Sequence, residues 1–503
     1  MKLMGVDVGT TGVKAAVFDT QGNMLGYSFH EYDVICEKPG LAEQDAELVW
    51  KLTKEAMSAA AAQSGGDLAA ISLSTQGDAV IPMDRQRRAL GRAQLGMDYR
   101  GTAETAEISA ALGDRHIFDI TGIRPHPMNF IIKVMWLLRN EAELSKKVWK
   151  YVTYADFLLA KMGSDEPVID LTMASRSMGL ALESGKWCPE ILNAAGIDAA
   201  LLSRPVASGT IVGELDSALC AELGIHRGAK LAAGGHDQCC AALGAGIVNE
   251  NMALDSHGTA EVISTAFRKP RIDDVMYNSY YPCYRHAVSG MYFTFGLNHT
   301  AGILMKWYRD NLGLAEVQQA QQQGERPFEQ IAKTASPGPS PLLVLPHFNG
   351  SGTPTCDIHS KGAILGMTMS TTRYDIAKGF MDAVAFELRN NLETMRKAGI
   401  DIKNLLCVGG GARSPIDLQL KADVTGIPVS TLKVREAACL GASMLAGTGI
   451  GAYAGAREAV SCVKTDTTYT PDEKMHMRYN DKYSCYNGLY DILKDINHKQ
   501  KSW

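Results

Sequence analysis

The sequence predicts an α/β protein built of two similar domains, residues 1–245 and 246–503, and three observations predict it. At 503 residues the chain is too long for one hydrophobic core. Near its start, Met4-Gly-Val-Asp-Val-Gly-Thr-Thr-Gly-Val-Lys-Ala-Ala-Val-Phe-Asp19 reads as two apolar runs joined by a polar glycine turn, which is a β-hairpin. About half the chain later, Met252-Ala-Leu-Asp-Ser-His-Gly-Thr-Ala-Glu-Val-Ile-Ser-Thr-Ala-Phe267 repeats it. Asp255 answers Asp7, Gly258 and Thr259 answer Gly9 and Thr10 after a one-residue insertion, and Phe267 answers Phe18. Two such hairpins imply two α/β halves whose tips face each other across a cleft.

The tips suit a polyphosphate. Glycine lets backbone approach closely, hydroxyls and amides donate to phosphate oxygens, and a carboxylate such as Asp7 can hold a hydrated Mg2+. No GxxxxGK[ST] loop is present, so a nucleotide must be held in another way. A net charge of −5 argues against nucleic acid or an anionic membrane as partner, so anionic ligands must be met by local donors. Eleven cysteines without a CxxC pair fit reduced thiols, and a start that runs straight into a strand offers no signal peptide; both point to a cytoplasmic protein. Ala437 to Ala456 has the length of a membrane span without a charge, but its glycine and alanine content predicts a tightly packed buried helix followed by a loop.

Taken in order, Asp45 should cap a helix running through Trp50 to about Ala62 and ending at Gly65-Gly66. Leu68 to Leu73 is a short strand leading to the polar turn Ser74-Thr-Gln-Gly-Asp78, and Met97-Asp-Tyr-Arg100 forms a second. A helix after Met128 should bury Trp136, and the Tyr154 and Asp170 segments read as helix starts. Ala232-Ala-Gly-Gly-His-Asp237-Gln238 places a carboxylate where a strand gives way to a small-residue helix, as an N-cap that faces a ligand. The Gln318 to Gln323 patch should be a solvated helix face. Tyr374 to Ala398 carries apolar residues at helical spacing and stops at Gly399. Asn404 to Ser414 is a strand running into a glycine triplet, with Ser414 as N-cap and Pro415 at the first helical position. The remainder after Ala456 is polar, aromatic and helical in tendency.

These motifs together resemble the FGGY family of carbohydrate kinases, in the superfamily of sugar kinases, actin and Hsp70, from residue 1 to about 455. The resemblance implies two ribonuclease H-like (actin-like ATPase) domains with the active site between them. It implies ATP and Mg2+ as cosubstrate and metal, and a small sugar or polyol as substrate. Asp237 would be the general base and Asp7 the Mg2+ residue. Thr10, Thr11, Lys14, Gly258 and Thr259 would meet the phosphates. Ala301, Gly302, Gly410, Gly411, Ala412 and Ser414 would hold the rest of the nucleotide, and Gln76, Asp78, Asp98, Arg100 and Gln238 the sugar. Phe130, Gly379 and Phe380 depart from the family's signatures within helices, which threatens packing more than chemistry.

D-xylulose is the first candidate substrate, although Gly77-Asp78 stand where xylulokinases usually carry Met-His. Another pentulose, a hexulose, a sugar acid or a tetritol are alternatives, with Asp78 disfavouring an acid by repulsion. His236 has no metal-ligand spacing to other histidines, which excludes a zinc site. A nucleotide-binding sensor or assembly protein that has lost phosphoryl transfer is the reading from another class, opposed by an intact Asp237. A dehydrogenase lacks its G-x-G-x-x-G. Self-association into a homodimer is left open by the sequence.

Overall fold

The computed structural model describes residues 1–433 and 436–500. Its first sheet begins with the hairpin β1 (Lys2–Val8) and β2 (Gly12–Asp19), continued antiparallel by β3 (Met24–Glu31). Asp45 caps α1 (Ala46–Ser64) by accepting the N–H groups of Glu47 and Leu48, and Gly65, at φ 84°, ends it. After α1 the chain returns as β4 (Ala70–Thr75), parallel to β1 and entirely buried, two residues later than the apolar run alone suggests. Helices α2 (Phe130–Asn140) and α3 (Leu171–Arg176) follow. Then β5 (Ile211–Glu214) and β6 (Lys230–His236) complete the order β5-β6-β4-β1-β2-β3, and α4 (Asp237–Gly244) leaves the end of β6.

The second sheet repeats that plan. Its hairpin is β7 (Met252–His257) and β8 (Glu261–Phe267), extended antiparallel by β9 (Tyr284–Arg285) and β10 (Tyr292–Asn298). Helices α5 (Gly302–Asn311), α6 (Pro327–Thr334) and the 25-residue α7 (Arg373–Lys397) precede β11 (Asn404–Gly409), which pairs parallel with β7. Ser414 caps α8 (Pro415–Thr425) with Pro415 at its first position. β12 (Val429–Leu432) is parallel to β11, and β13 (Thr465–Tyr469) closes the order β9-β10-β8-β7-β11-β12-β13. In each sheet the hairpin's first strand therefore has an antiparallel meander on one side and two parallel strands on the other.

The apolar stretch from Ala437 forms α9 (Ala437–Gly449), which packs on β1, β4 and β6 of the first sheet and crosses α4. The first layer is thus built from both ends of the chain. Small residues make the crossing close: a Cβ on Gly441 would stand 1.9 Å from the Cys240 carbonyl oxygen, and one on Gly5 only 1.8 Å from that of Cys439. No helix among the described residues is long and apolar enough to cross a membrane. All eleven cysteines are free thiols. The segment after Ala456, read as helical, contributes the edge strand β13 as well as α10 (Glu473–Tyr486) and α11 (Leu489–Lys499). Gln318 to Gln323 lie on a largely exposed helix, as expected.

Candidate active site

The first hairpin tip is held from outside by three side chains. The Tyr32 hydroxyl donates to the carbonyls of Gly9 (2.7 Å) and Gly12 (3.1 Å), Gln44 donates to that of Thr10 (2.5 Å), and Gln76 donates to that of Gly9 (3.2 Å). Gln76 also donates to Gln44 Oε1 (3.0 Å) and accepts from the Thr10 hydroxyl (3.3 Å). Gln76, a residue expected at the sugar, is placed as a brace of the tip. Thr10 is half-buried and Thr11 exposed. Lys14 points across to Glu436 at the start of α9, 2.8 Å away, joining the hairpin to the far end of the chain.

Asp7 stands on β1 opposite Lys14 and beside Ser74, whose hydroxyl donates to Oδ1 at 2.7 Å. Burial raises its pKa, opposed by the Ser74 bond and the charge of Lys14. Asp237 occupies the first turn of α4, one residue inside the cap position expected of it, because His236 is the residue that flanks the helix. Its carboxyl accepts the Gln238 N–H and has no cation bonded to it among the described residues. Burial first, then repulsion by Asp7, pushes it up to about 7, against the pull of Arg176.

His236 Nε2 lies 3.0 Å from Asp237 Oδ1, and its Nδ1 is 3.4 Å from the Tyr284 hydroxyl. Burial and Arg176 hold this imidazole far below its ordinary pKa, so it is neutral, accepting from the tyrosine hydroxyl and lying in contact with Asp237. The histidine dismissed as a metal ligand thus packs beside the carboxylate. Sequence reasoning also passed over Arg176, at the end of α3. It is buried, ion-pairs with Asp78, and lies over the rings of Tyr284 and Phe295 at 5.3 and 5.5 Å.

Asp78 itself has φ 62°, a strained value for a residue with a Cβ, and its carbonyl is held by Lys133 Nζ at 2.7 Å. Burial pushes Lys133 down to about 7. Asp78 Oδ1, Arg176 Nε and Gln238 Oε1 are buried with no hydrogen-bond partner among the described residues. Asp98 is saturated: it accepts from Ala42 N–H (2.9 Å) and from the Arg100 Nε (2.8 Å) and Nη2 (2.7 Å). Arg100 also pairs with Glu43 and lies 4.9 Å over Trp136, which is half-buried beneath it instead of in the core.

Across the molecule, the second hairpin opens onto a cavity of about 720 Å³. Its walls include Gly258, Thr259, Gly302, Gly410, Gly411 and Ser414 from the expected set, with Met305, Phe328, Met381 and Leu420 giving an apolar slot for a flat ring. Ala301 is fully buried behind this wall, and Ala412 packs on the core. The first amides of α5 go to the tip: Gly302 N–H donates to Gly258 (3.2 Å) and Ile303 N–H to Thr259 (3.0 Å). Asp255, the counterpart of Asp7, is fully buried and bonded to Lys421.

Two like α/β domains, each with a polar hairpin, a carboxylate at the start of α4 that pairs with no cation among the described residues, and a nucleotide-sized cavity at the second hairpin are the features of a phosphotransferase of the sugar kinase and actin type. Family models for the FGGY family of carbohydrate kinases match residues 2–244 (N-terminal domain) and 255–450 (C-terminal domain), and the chain belongs to that family. It is 28% identical over 510 residues to the xylulose kinase of Bacillus subtilis (strain 168), covering 100% of this chain and 99% of that one. It is also 28% identical over 482 residues to the glycerol kinase of Deinococcus radiodurans, covering 93% of each. The fold superposes on the crystal structure of xylulose kinase from Lactobacillus acidophilus with a TM-score of 0.90 at 24% identity, covering 99% of both chains. The protein is therefore an enzyme, a carbohydrate kinase.

Proposed function

We propose that this enzyme transfers the terminal phosphoryl group of ATP to a hydroxyl of a small sugar or polyol, with a ketopentose such as D-xylulose as the first candidate. The observation that carries the reading is Asp237: a carboxyl that opens α4, raised to about 7, beside a neutral histidine and paired with no cation among the described residues. A base poised near neutral pH takes the proton of an attacking hydroxyl as the new P–O bond forms, which is worth roughly 10²–10⁴ in rate. The rest of the acceleration is positioning and neutralisation of charge.

The donor set fits Mg2+. Asp7 offers hard carboxylate oxygen at the cleft, and no group of three or more ligating side chains exists among the described residues that would enclose a metal by itself. A Mg2+ ion that keeps its waters and shares phosphate oxygens needs only one or two carboxylates. When bound, it supplies charge neutralisation to the phosphates. Asp7 holds it, Thr10, Thr11 and Lys14 meet the phosphates from one side, and Gly258 and Thr259 meet them from the other. Gly302, Gly410, Gly411 and Ser414 line the nucleoside site, backed by Ala301 and Ala412.

On the sugar side, the partnerless Asp78 Oδ1, Arg176 Nε and Gln238 Oε1 supply two acceptors and a donor for hydroxyl groups. Asp98 and Arg100 shape the adjoining wall, and Gln76 steadies the tip between the two ligands. Because Arg176 neutralises Asp78, the repulsion expected toward a sugar acid is weakened. A substrate of this kind fits a cytoplasmic enzyme. The test is ADP release from Mg·ATP across ketoses, polyols and aldonic acids, with Asp237→Asn in parallel. One strong responder that the variant abolishes supports the reading; equal slow release with every compound, unchanged in the variant, refutes it.

A further inference from the structure

The second hairpin carries a charged cluster that phosphoryl transfer as described does not use. Asp255 and His257 on β7, Glu261 on β8 and Lys421 on α8 are all buried. Lys421 Nζ lies 2.5 Å from Asp255 Oδ2, 2.7 Å from Glu261 Oε1 and 2.9 Å from His257 Nδ1. Cys407, on β11, touches Asp255 from the other side at 3.4 Å. An ammonium group only donates, so His257 Nδ1 accepts, and a ring nitrogen that accepts carries no proton. The ring is neutral with its proton on Nε2, and burial and the charge of Lys421 hold its pKa down to about 3.

The ring is also fixed in place. Gly411 lies against it so closely that a Cβ there would stand 2.4 Å from His257 Cγ. His257 lines the same cavity as Gly258, Thr259, Gly410 and Gly411, and its Nε2 has no hydrogen-bond partner among the described residues. The other charged groups on that wall are Asp417 and Lys421 of α8, Arg413 of the glycine turn, Lys306 and Arg309 of α5, and Arg326 and Glu329 at the start of α6.

We propose that His257 binds the nucleotide through Nε2–H, donated to an oxygen at its phosphate and ribose end, and that Lys421 is the positioning residue that fixes this tautomer. The proposal rests on the reading of the cavity as an ATP site. Lys421 occupies the place a cation would take between Asp255 and Glu261, so the hairpin presents a neutral donor at every physiological pH.

The experiment combines 15N NMR of the histidine rings with calorimetric binding of ADP. His257 should show the Nε2–H tautomer and no titration between about pH 5.5 and 8, and over that range ADP affinity should follow only the titration of ADP's own terminal phosphate. His257→Phe should weaken ADP about tenfold or more, the worth of a hydrogen bond to a charged acceptor, and His257→Gln, which keeps a donor amide, should restore part of it. In Lys421→Met, Asp255 and Glu261 pull a proton onto the ring, and ADP affinity should gain a pH dependence beyond that of the wild type, with the same midpoint as the His257 titration seen by NMR. A ring protonated on Nδ1 in the wild type, or ADP affinity unchanged in a folded His257→Phe, overturns the proposal. If the wild type bound no ADP, the nucleotide reading and with it His257's role would fail, while the NMR signal would still report whether Lys421 fixes the tautomer.

Discussion

The two hairpins share a topology and differ in how they treat their carboxylate. Asp7 and Asp255 occupy the same position, on the central strand beside a parallel neighbour, next to Ser74 in one sheet and Cys407 in the other. Asp7 remains half-buried at the cleft, with a hydroxyl for partner and its cation, Lys14, drawn away to Glu436. Asp255 is sealed and ion-paired through Oδ2 with Lys421. On the proposed reading, one carboxylate is left free to meet a cation that comes with the substrate; the other has a cation built into the chain. The comparison teaches that a duplicated fold need not duplicate its chemistry: in the function proposed here the first hairpin faces the reaction, and the second holds the nucleotide's site in shape.

The largest expected effect lies beside the first hairpin. Asp237→Asn should lower kcat by about 10²–10⁴ and leave the thermal unfolding midpoint in place, as steady-state kinetics and calorimetry will read. Next comes the charge cluster of the second hairpin. Lys421→Met strands Asp255 and Glu261 in the interior and should cost about 3–5 kcal/mol of stability in denaturant titration, whereas Lys14→Met, whose ion pair with Glu436 is partly exposed, should cost about 1 kcal/mol or less.

Gly441→Ala drives a methyl group into the Cys240 carbonyl and should cost about 1–3 kcal/mol, loosening α9 from the first sheet without altering the second hairpin. A smaller effect is in pH. The base acts when deprotonated, so kcat should rise with pH through about 7. Asp7→Asn removes the neighbouring negative charge that helps hold Asp237 up, and the midpoint of whatever activity remains should move to lower pH.

Local features were legible in the sequence. The caps of Asp45 and Ser414, the stop at Gly65, the long helix α7 and the buried helix α9 all follow from interactions within a few residues, which spacing and residue type express directly. The two hairpins were legible because the second repeats the first. The partnerships that define the site were not. Gln76 with Thr10, Arg176 with Asp78, Lys14 with Glu436 and Lys421 with Asp255 join residues 66 to 422 positions apart, and nothing in local periodicity says which distant charge an aspartate will meet. That is why Gln76 reads as a sugar contact from its motif and stands in the structure as a brace. It is also why Asp7 and Asp255 look alike in sequence and differ in surroundings.

The most direct test of this division is the Mg2+ dependence of ADP binding in Asp7→Asn and Asp255→Asn, measured by titration calorimetry beside thermal unfolding. The account predicts that Asp7→Asn loses the strengthening of ADP binding by Mg2+ while unfolding as the wild type does, and that Asp255→Asn keeps that strengthening while unfolding at a lower temperature. The reverse pattern, with Mg2+ coupling lost at Asp255 and kept at Asp7, would contradict it.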